Sequence, residues 1–220
     1  MKLLCLIIDS TPRTSWQKTY EVHRSIWNKC LDKCSAVDGY FLRSDPSLAT
    51  DRVIEGRCLT IRGPERGDTI LNKTLRAVEA LLTDHDYVIR TNISSLYDFP
   101  LLQCQALPKE GFYAGHVMNN RFVSGSGMIL SRDVARKLLL PVPLSLVLRP
   151  QDDVAIWQIL NAHGVRPQHR SMFIYDYTRG LDQISVGQHI HYRLRDERDP
   201  QRLQERRVTE HIFAKIYGDD

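Results

Sequence analysis

Two adjacent carboxylates, Asp152 and Asp153, stand immediately before the run Val154-Ala155-Ile156-Trp157-Gln158-Ile159-Leu160. The pattern puts both at a helix N-terminus, where a carboxylate complements the helix dipole and accepts backbone N–H groups. One aspartate suffices for capping. The loop Arg149-Pro150-Gln151 that feeds the helix can present the other to solvent, and a free carboxylate there can take the proton of a hydroxyl. A second group, Arg90-Thr91-Asn92-Ile93-Ser94-Ser95, follows the apolar run Tyr87-Val88-Ile89. Its guanidinium, amide and hydroxyls can bind phosphate or ribose oxygens, although Ser94 or Ser95 can equally cap a strand-to-helix turn. Position favours the ligand reading, because open α/β sheets bind ligands at the carboxyl ends of their strands.

Three further groups carry weaker signals. Ser124-Gly125-Ser126-Gly127 lies between Phe122-Val123 and Met128-Ile129-Leu130. Such a segment can let a backbone approach a substrate closely, but taken alone it favours a hairpin turn. In His189-Ile190-His191-Tyr192-Arg193 the alternation of a strand puts His189, His191 and Arg193 on one face. Two histidines two apart can ligate a metal, and no clear third ligand accompanies them. The arginines Arg193, Arg195, Arg198, Arg202, Arg206 and Arg207 are interleaved with Asp196, Glu197, Asp199 and Glu205. This makes an ion-paired, solvated helix face a better reading than a nucleic-acid-binding tail.

The elements that must position these residues alternate. Leu3 to Ile8 is a continuous apolar run expected of a central strand. Trp16, Tyr20, His23, Trp27, Cys30 and Cys34 then recur at helical spacing. Tyr40-Phe41-Leu42 and Cys58-Leu59-Thr60-Ile61 read as strands, and Asp68 stands where an N-cap belongs, before the helical repeat Ile70, Leu71, Leu75, Val78, Leu81, Leu82. Tyr87-Val88-Ile89 is a further strand, and Asp84-His85-Asp86 reads as a polar helix-to-strand loop. Gly164 ends the helix begun at Asp152. Ser171 to Tyr177 and Gln188 to Leu194 read as late strands, with Asp199-Pro200 opening a final helix through Leu203, Val208, Ile212 and Ile216. Strands alternating with helices predict a mainly parallel central sheet flanked by helices, in one α/β domain over residues 1–220.

Composition excludes several classes. Hydrophobic residues at 42% and charged residues at 25% are those of a globular protein, not a disordered or collagenous one. A formal net charge of +4 is too mild to demand a polyanionic partner, so nucleic acid is not expected. Five cysteines without a CxxC pair argue against a zinc ribbon and a fully paired disulfide framework, and favour a reducing, cytoplasmic compartment. The opening apolar run is far short of the roughly 20 residues of a membrane span, and reads as a strand instead of a signal sequence.

In order, these segments resemble the GT-A glycosyltransferases, with their Rossmann-like nucleotide-sugar-binding fold, particularly the galactosyltransferase and fringe branch and related viral or bacterial sugar transferases. The stretch from Thr69 to Leu82 with Asn72-Lys73-Thr74, followed by Tyr87 to Asn92, looks like that branch's helix and the strand ending in its metal-binding acidic motif. Phe122 to Asp133 looks like its serine-glycine turn, and Gln151-Asp152-Asp153-Val154 its acidic base motif. The resemblance spans roughly Leu3 to Gly164, with His191-Tyr192-Arg193 a weaker match beyond it. It implies transfer of a sugar from a nucleoside diphosphate donor, UDP-linked for preference, to a carbohydrate or other hydroxyl acceptor with inversion. Asp153 would be the general base and Asp152 its companion. The donor would be held by Ser10, Thr11 and Arg13 at the end of strand one, with Lys73, Arg90, Asn92, Ser94, Ser95, Ser124, Gly125, His191 and Arg193. The family's divalent cation, manganese or magnesium, would meet Asn92, Ser94 and His191 here. Asn92-Ile93-Ser94 replaces the family's aspartates with neutral oxygens, which hold a hard cation more weakly. A fixed cation, Arg90, His191 or Arg193, would then meet the leaving group. The same departure motivates the alternative of an inactive nucleotide- or carbohydrate-binding module.

Overall fold

The computed structural model describes residues 1–9, 14–143, 151–177, 180–196 and 198–218. In chain order its elements are β1 Leu3–Ile8, α1 Gln17–Lys33, β2 Val37–Asp45, β3 Arg52–Glu55, β4 Cys58–Arg62, α2 Ile70–Leu81, β5 Tyr87–Asn92, β6 Ser95–Tyr97, α3 Phe99–Gln103, β7 Tyr113–Met118, β8 Phe122–Ser131, α4 Arg132–Lys137, α5 Asp152–Ala162, β9 Gln168–His169, β10 Phe173–Ile174, β11 His191–Arg193 and α6 Leu203–Tyr217. They fall into two compact units. The first comprises Met1–Thr11, Ala36–Asn92 and Leu107–Arg170, and the second Pro12–Ser35, Ile93–Ala106 and Ser171–Asp220.

The first unit is built on an eight-stranded sheet in the order β3-β4-β2-β1-β5-β8-β7-β9. The β4/β2, β2/β1, β1/β5 and β7/β9 pairs are parallel, whereas β3/β4, β5/β8 and β8/β7 are antiparallel. The sheet is therefore mixed: β4, β2, β1, β5, β7 and β9 run in one direction, the parallel character that the alternation of elements predicts, and β3 and β8 run against them. Apolar runs do not encode strand direction, and the antiparallel β7/β8 pair is joined by a turn that composition disguises. Asn119 and Asn120, both at positive φ of 50° and 55°, close it, and Arg121 N donates to Met118 O at 3.0 Å. Asparagine tolerates this left-handed backbone better than most residues. The hairpin expected at Ser124–Gly127 lies here instead, and Ser124 to Gly127 run within the single strand β8.

Period-two alternation makes Leu4, Leu6 and Ile8 of β1 and Val88 of β5 one face. This face joins Ala77, Val78 and Leu81 of α2, Val134 and Ala135 of α4, and Ile156, Ile159 and Leu160 of α5 in one buried cluster. Helix α2 begins at Ile70 with Thr69 as its N-cap. The Asp84–Asp86 segment is the expected loop, pinned by the Arg132 guanidinium on the carbonyls of Asp84 and His85. Helix α5 ends as expected, with Gly164 at φ +75° and Val165 N donating to Leu160 O at 2.9 Å. Among the described residues no helix is long and apolar enough to cross a membrane.

The second unit has a three-stranded sheet, β10-β11-β6, and the helices α1, α3 and α6. The late strands are two and three residues long, much shorter than the apolar runs suggest. A buried polar lock joins α1 to α6. His23 Nε2 lies 2.8 Å from Glu205 Oε1, and Arg202 donates to both oxygens of Glu205 at 2.7 Å. Helix α6 begins at Leu203 with Arg202, at φ 55°, as its N-cap, later than the start expected at Asp199-Pro200, and Asp199 instead accepts from Leu203 N at 2.8 Å across the turn that precedes the helix.

Candidate functional site

Strand β5 carries the first component. The register Leu4↔Val88, Leu6↔Arg90, Ile8↔Asn92 places Arg90 in line with an apolar face, where it is 1% exposed. A guanidinium stays protonated under such burial and so requires an acceptor. Helix α5 supplies it: Arg90 Nη2 donates to Asp152 Oδ2 in an ion pair. Arg90 Nη1 makes a long contact of 3.5 Å with Asn92 Oδ1, and Nε is buried with no partner among the described residues. Burial pushes the Asp152 carboxyl up from its ordinary value, Arg90 pulls it back, and the charge on Asp153 adds to the rise. Asp152 is thereby committed to structure.

Asp153 is arranged differently. Its Oδ2 accepts from Gly125 N at 3.1 Å and its Oδ1 from Val154 N at 2.9 Å, and the residue is half-buried. An ionised carboxylate offers about four lone-pair sites, so two remain for an incoming hydroxyl. Two backbone N–H groups fix its orientation at the positive end of α5. This is the geometry a general base requires: a preset direction with acceptor capacity unspent.

Gly125 is required by close approach, not by backbone freedom. Its φ is not among the positive values, but a Cβ there would stand 2.8 Å from Arg90 Nη1 and 3.5 Å from Asp153 Oδ2. Thr91 Oγ1 donates to Ser126 O at 2.8 Å, and Ser124 Oγ lies 3.0 Å from Ser126 Oγ. These bonds hold β8 against β5. Gly125, Arg90, Asp152 and Asp153 thus form one assembly from three elements distant in sequence.

Beside it lies a cleft of about 390 Å³ lined by Asn119, Arg121 and Phe122 from the β7–β8 turn and the start of β8, and by Val154, Trp157 and Gln158 from α5. None of these six is among the residues that composition singles out for chemistry. Asn119-Asn120 between two strand-like segments was the available signal.

The carboxyl edge of the parallel strands holds further charged groups. Asp9, directly after β1, is fully buried and accepts from Arg43 Nε at 2.8 Å. As the first polar residue after a continuous apolar run at a sheet's carboxyl edge, it was legible as a ligand-side candidate. Ser44 N donates to Glu65 Oε2 at 2.7 Å, and Lys73 Nζ donates to Glu65 Oε1 at 2.5 Å. Lys73 is fully buried, so its ammonium serves this ion pair in the structure described. Ser10, Thr11 and Arg13 lie outside the described residues.

The remaining candidates belong to the second unit. Ser94 Oγ accepts from Arg193 Nη1 at 2.8 Å, and Ser95 pairs with Arg193 in the β6/β11 register. His191 stacks on Tyr97 with centroids 4.7 Å apart. His189 precedes β11 and does not share the strand face expected for it, lying instead against Phe173 at 5.5 Å. As ligands for a divalent cation these residues fit poorly. Ser94 already accepts from one guanidinium, Asn92 has another as its neighbour, and neither brings a carboxylate. Among the described residues no group of three or more His, Cys, Asp and Glu side chains is arranged to hold a metal. No protein-family model matches the chain, and neither does any curated protein sequence.

Proposed function

We propose that the chain is an inverting glycosyltransferase of the GT-A type that moves a sugar from a nucleoside diphosphate donor to a hydroxyl acceptor. The observation that carries the reading is the division of labour between neighbouring carboxylates. Asp152 is spent on the buried Arg90, whereas Asp153 is oriented by two N–H groups and keeps acceptor capacity. In the reaction the acceptor oxygen attacks the anomeric carbon while its proton passes to Asp153. The bond from that carbon to the diphosphate oxygen breaks, and its electron pair leaves on the nucleoside diphosphate. The carboxyl edge of β1, β2 and β5 is the place for the donor, as in other open α/β sheets. Arg43, which pairs with Asp9 there and is partly exposed, offers a fixed positive charge near it.

A second reading, an inactive nucleotide- or carbohydrate-binding module, is favoured by one observation: Asn92-Ile93-Ser94 stands where the GT-A resemblance expects acidic residues. Calorimetric titration with UDP, GDP and UDP-glucose, with and without manganese, tests both readings. The transferase reading expects one nucleotide to bind wild type and Asp153→Asn alike, with turnover lowered in the variant by about 10² to 10⁴. Binding without turnover in wild type supports the module, and no binding of any nucleotide removes the transferase reading and leaves only a module that binds carbohydrate.

A further inference from the structure

We infer that the cleft between the β7–β8 turn and α5 is an acceptor subsite for a single pyranose ring, which makes the acceptor a glycoside. The inference rests on the transferase reading and deepens it. Val154, Trp157 and Gln158 are spaced i, i+3 and i+4 on α5, so they form one helix face, and Trp157 stands four residues after Asp153. Residues four apart on a helix are neighbours, with Cβ atoms about 5 to 6 Å apart. A ring resting against Trp157 therefore lies one helical turn from Asp153, which adjoins the cleft through Val154 without lining it.

The lining has the composition that a sugar ring requires. Phe122, Trp157 and Val154 offer apolar surface to the C–H face of a pyranose, while Asn119, Arg121 and Gln158 surround it with amide and guanidinium groups. The lining contains no carboxylate and no lysine. The volume of about 390 Å³ lies near the small end of ligand pockets. That suits one ring better than a whole nucleotide sugar, for which the sheet's carboxyl edge remains.

Gln158 supplies the independent observation. Its Oε1 is buried and has no hydrogen-bond donor among the described residues. A buried carbonyl oxygen without a donor is uncommon and costs stability. The terminal torsion of a glutamine is soft, so the amide can turn this oxygen toward a hydroxyl in the cleft. The ligand would then satisfy a group that the fold leaves unsatisfied.

The test follows the indole N–H resonance of Trp157, assigned by its loss in Trp157→Phe, during titration with methyl glycosides of glucose, galactose, mannose, xylose and N-acetylglucosamine. Uridine monophosphate is titrated separately. At least one glycoside should shift the Trp157 resonance. Gln158→Leu should weaken that binding about tenfold, the equivalent of one lost hydrogen bond, with nucleotide affinity unchanged. The variant removes an unsatisfied buried acceptor, so its melting temperature should be no lower than that of wild type, which separates lost binding from lost folding. The inference is overturned if no glycoside shifts Trp157, if uridine monophosphate shifts it instead, or if Gln158→Leu binds the glycoside as wild type does. Nucleotide binding with Asp153-dependent donor turnover but no glycoside at Trp157 removes this subsite alone. Glycoside binding with no nucleotide binding removes the transferase reading and leaves a sugar site.

Discussion

Asp152→Ala isolates what the buried pair does. Arg90 is 1% exposed, and its side chain meets Asp152 across sixty-two positions of sequence. Removing the carboxylate leaves the guanidinium with a 3.5 Å contact to Asn92 and an Nε that already has no partner among the described residues. Breaking a buried pair by deleting one member costs about 3 to 5 kcal/mol. At about 2 to 4 °C per kcal/mol for a chain of this size, the melting temperature should fall by roughly 6 to 20 °C. Replacing both partners, as Arg90→Met with Asp152→Leu, removes the charge together with its need for a partner and should recover most of that loss. Urea unfolding followed by circular dichroism measures both variants against wild type. A loss below about 1 kcal/mol for Asp152→Ala would mean that Arg90 finds water or another acceptor. The assignment of Asp152 to structure and Asp153 to chemistry would then lose its basis.

Other consequences follow from the same geometry. Gly125→Ala places a methyl 2.8 Å from Arg90 Nη1; it should cost about 1 to 3 kcal/mol in urea unfolding and lower turnover by displacing the N–H that orients Asp153. Burial disfavours the Asp133 carboxylate, but donors at Ser131, Gly111 and Val134 outweigh it and hold the carboxyl below its ordinary value. Its stabilisation is present above the unfolded value of about 3.9 and is lost as pH falls through the lowered folded value. Asp133→Asn should therefore flatten the fall in urea midpoint between pH 5 and acid conditions, and an unchanged slope would contradict this. Asp152 has the opposite sign. Burial raises its carboxyl, so its contribution is full below the unfolded value and declines as pH rises through the folded one. In the second unit Glu205→Ala strands Arg202 and leaves His23 without its acceptor, and a thermal melt should show a loss of about 3 to 5 kcal/mol.

The parts of the fold legible in sequence are those governed by local pattern. β1 and β5 are continuous apolar runs. α2 and α5 have helical periodicity, and Gly164 marks its own C-cap. The antiparallel β7/β8 hairpin was not legible, because it depends on the turn that joins them, and the responsible Asn119-Asn120 lacks the glycine that usually marks such hairpins. β7 itself was missed because Gly115 and His116 interrupt its apolar residues. The importance of Asp153 could be read from its place at a helix start, but its distinction from Asp152 could not. That distinction rests on Arg90 and Gly125, which reach α5 only through the fold. Lys73 shows the converse, since a lysine that looks available for phosphate is buried against Glu65.

The central claim is that Asp153 takes the acceptor's proton in an inverting transfer. Its most direct measurement is proton NMR of the anomeric signal during a reaction of donor sugar with a glycoside acceptor, run with wild type and with Asp153→Asn. The account predicts a product of inverted anomeric configuration in wild type, and a rate lower by about 10² to 10⁴ in the variant with donor affinity retained. A product that retains the donor's configuration, or a variant as fast as wild type, contradicts it.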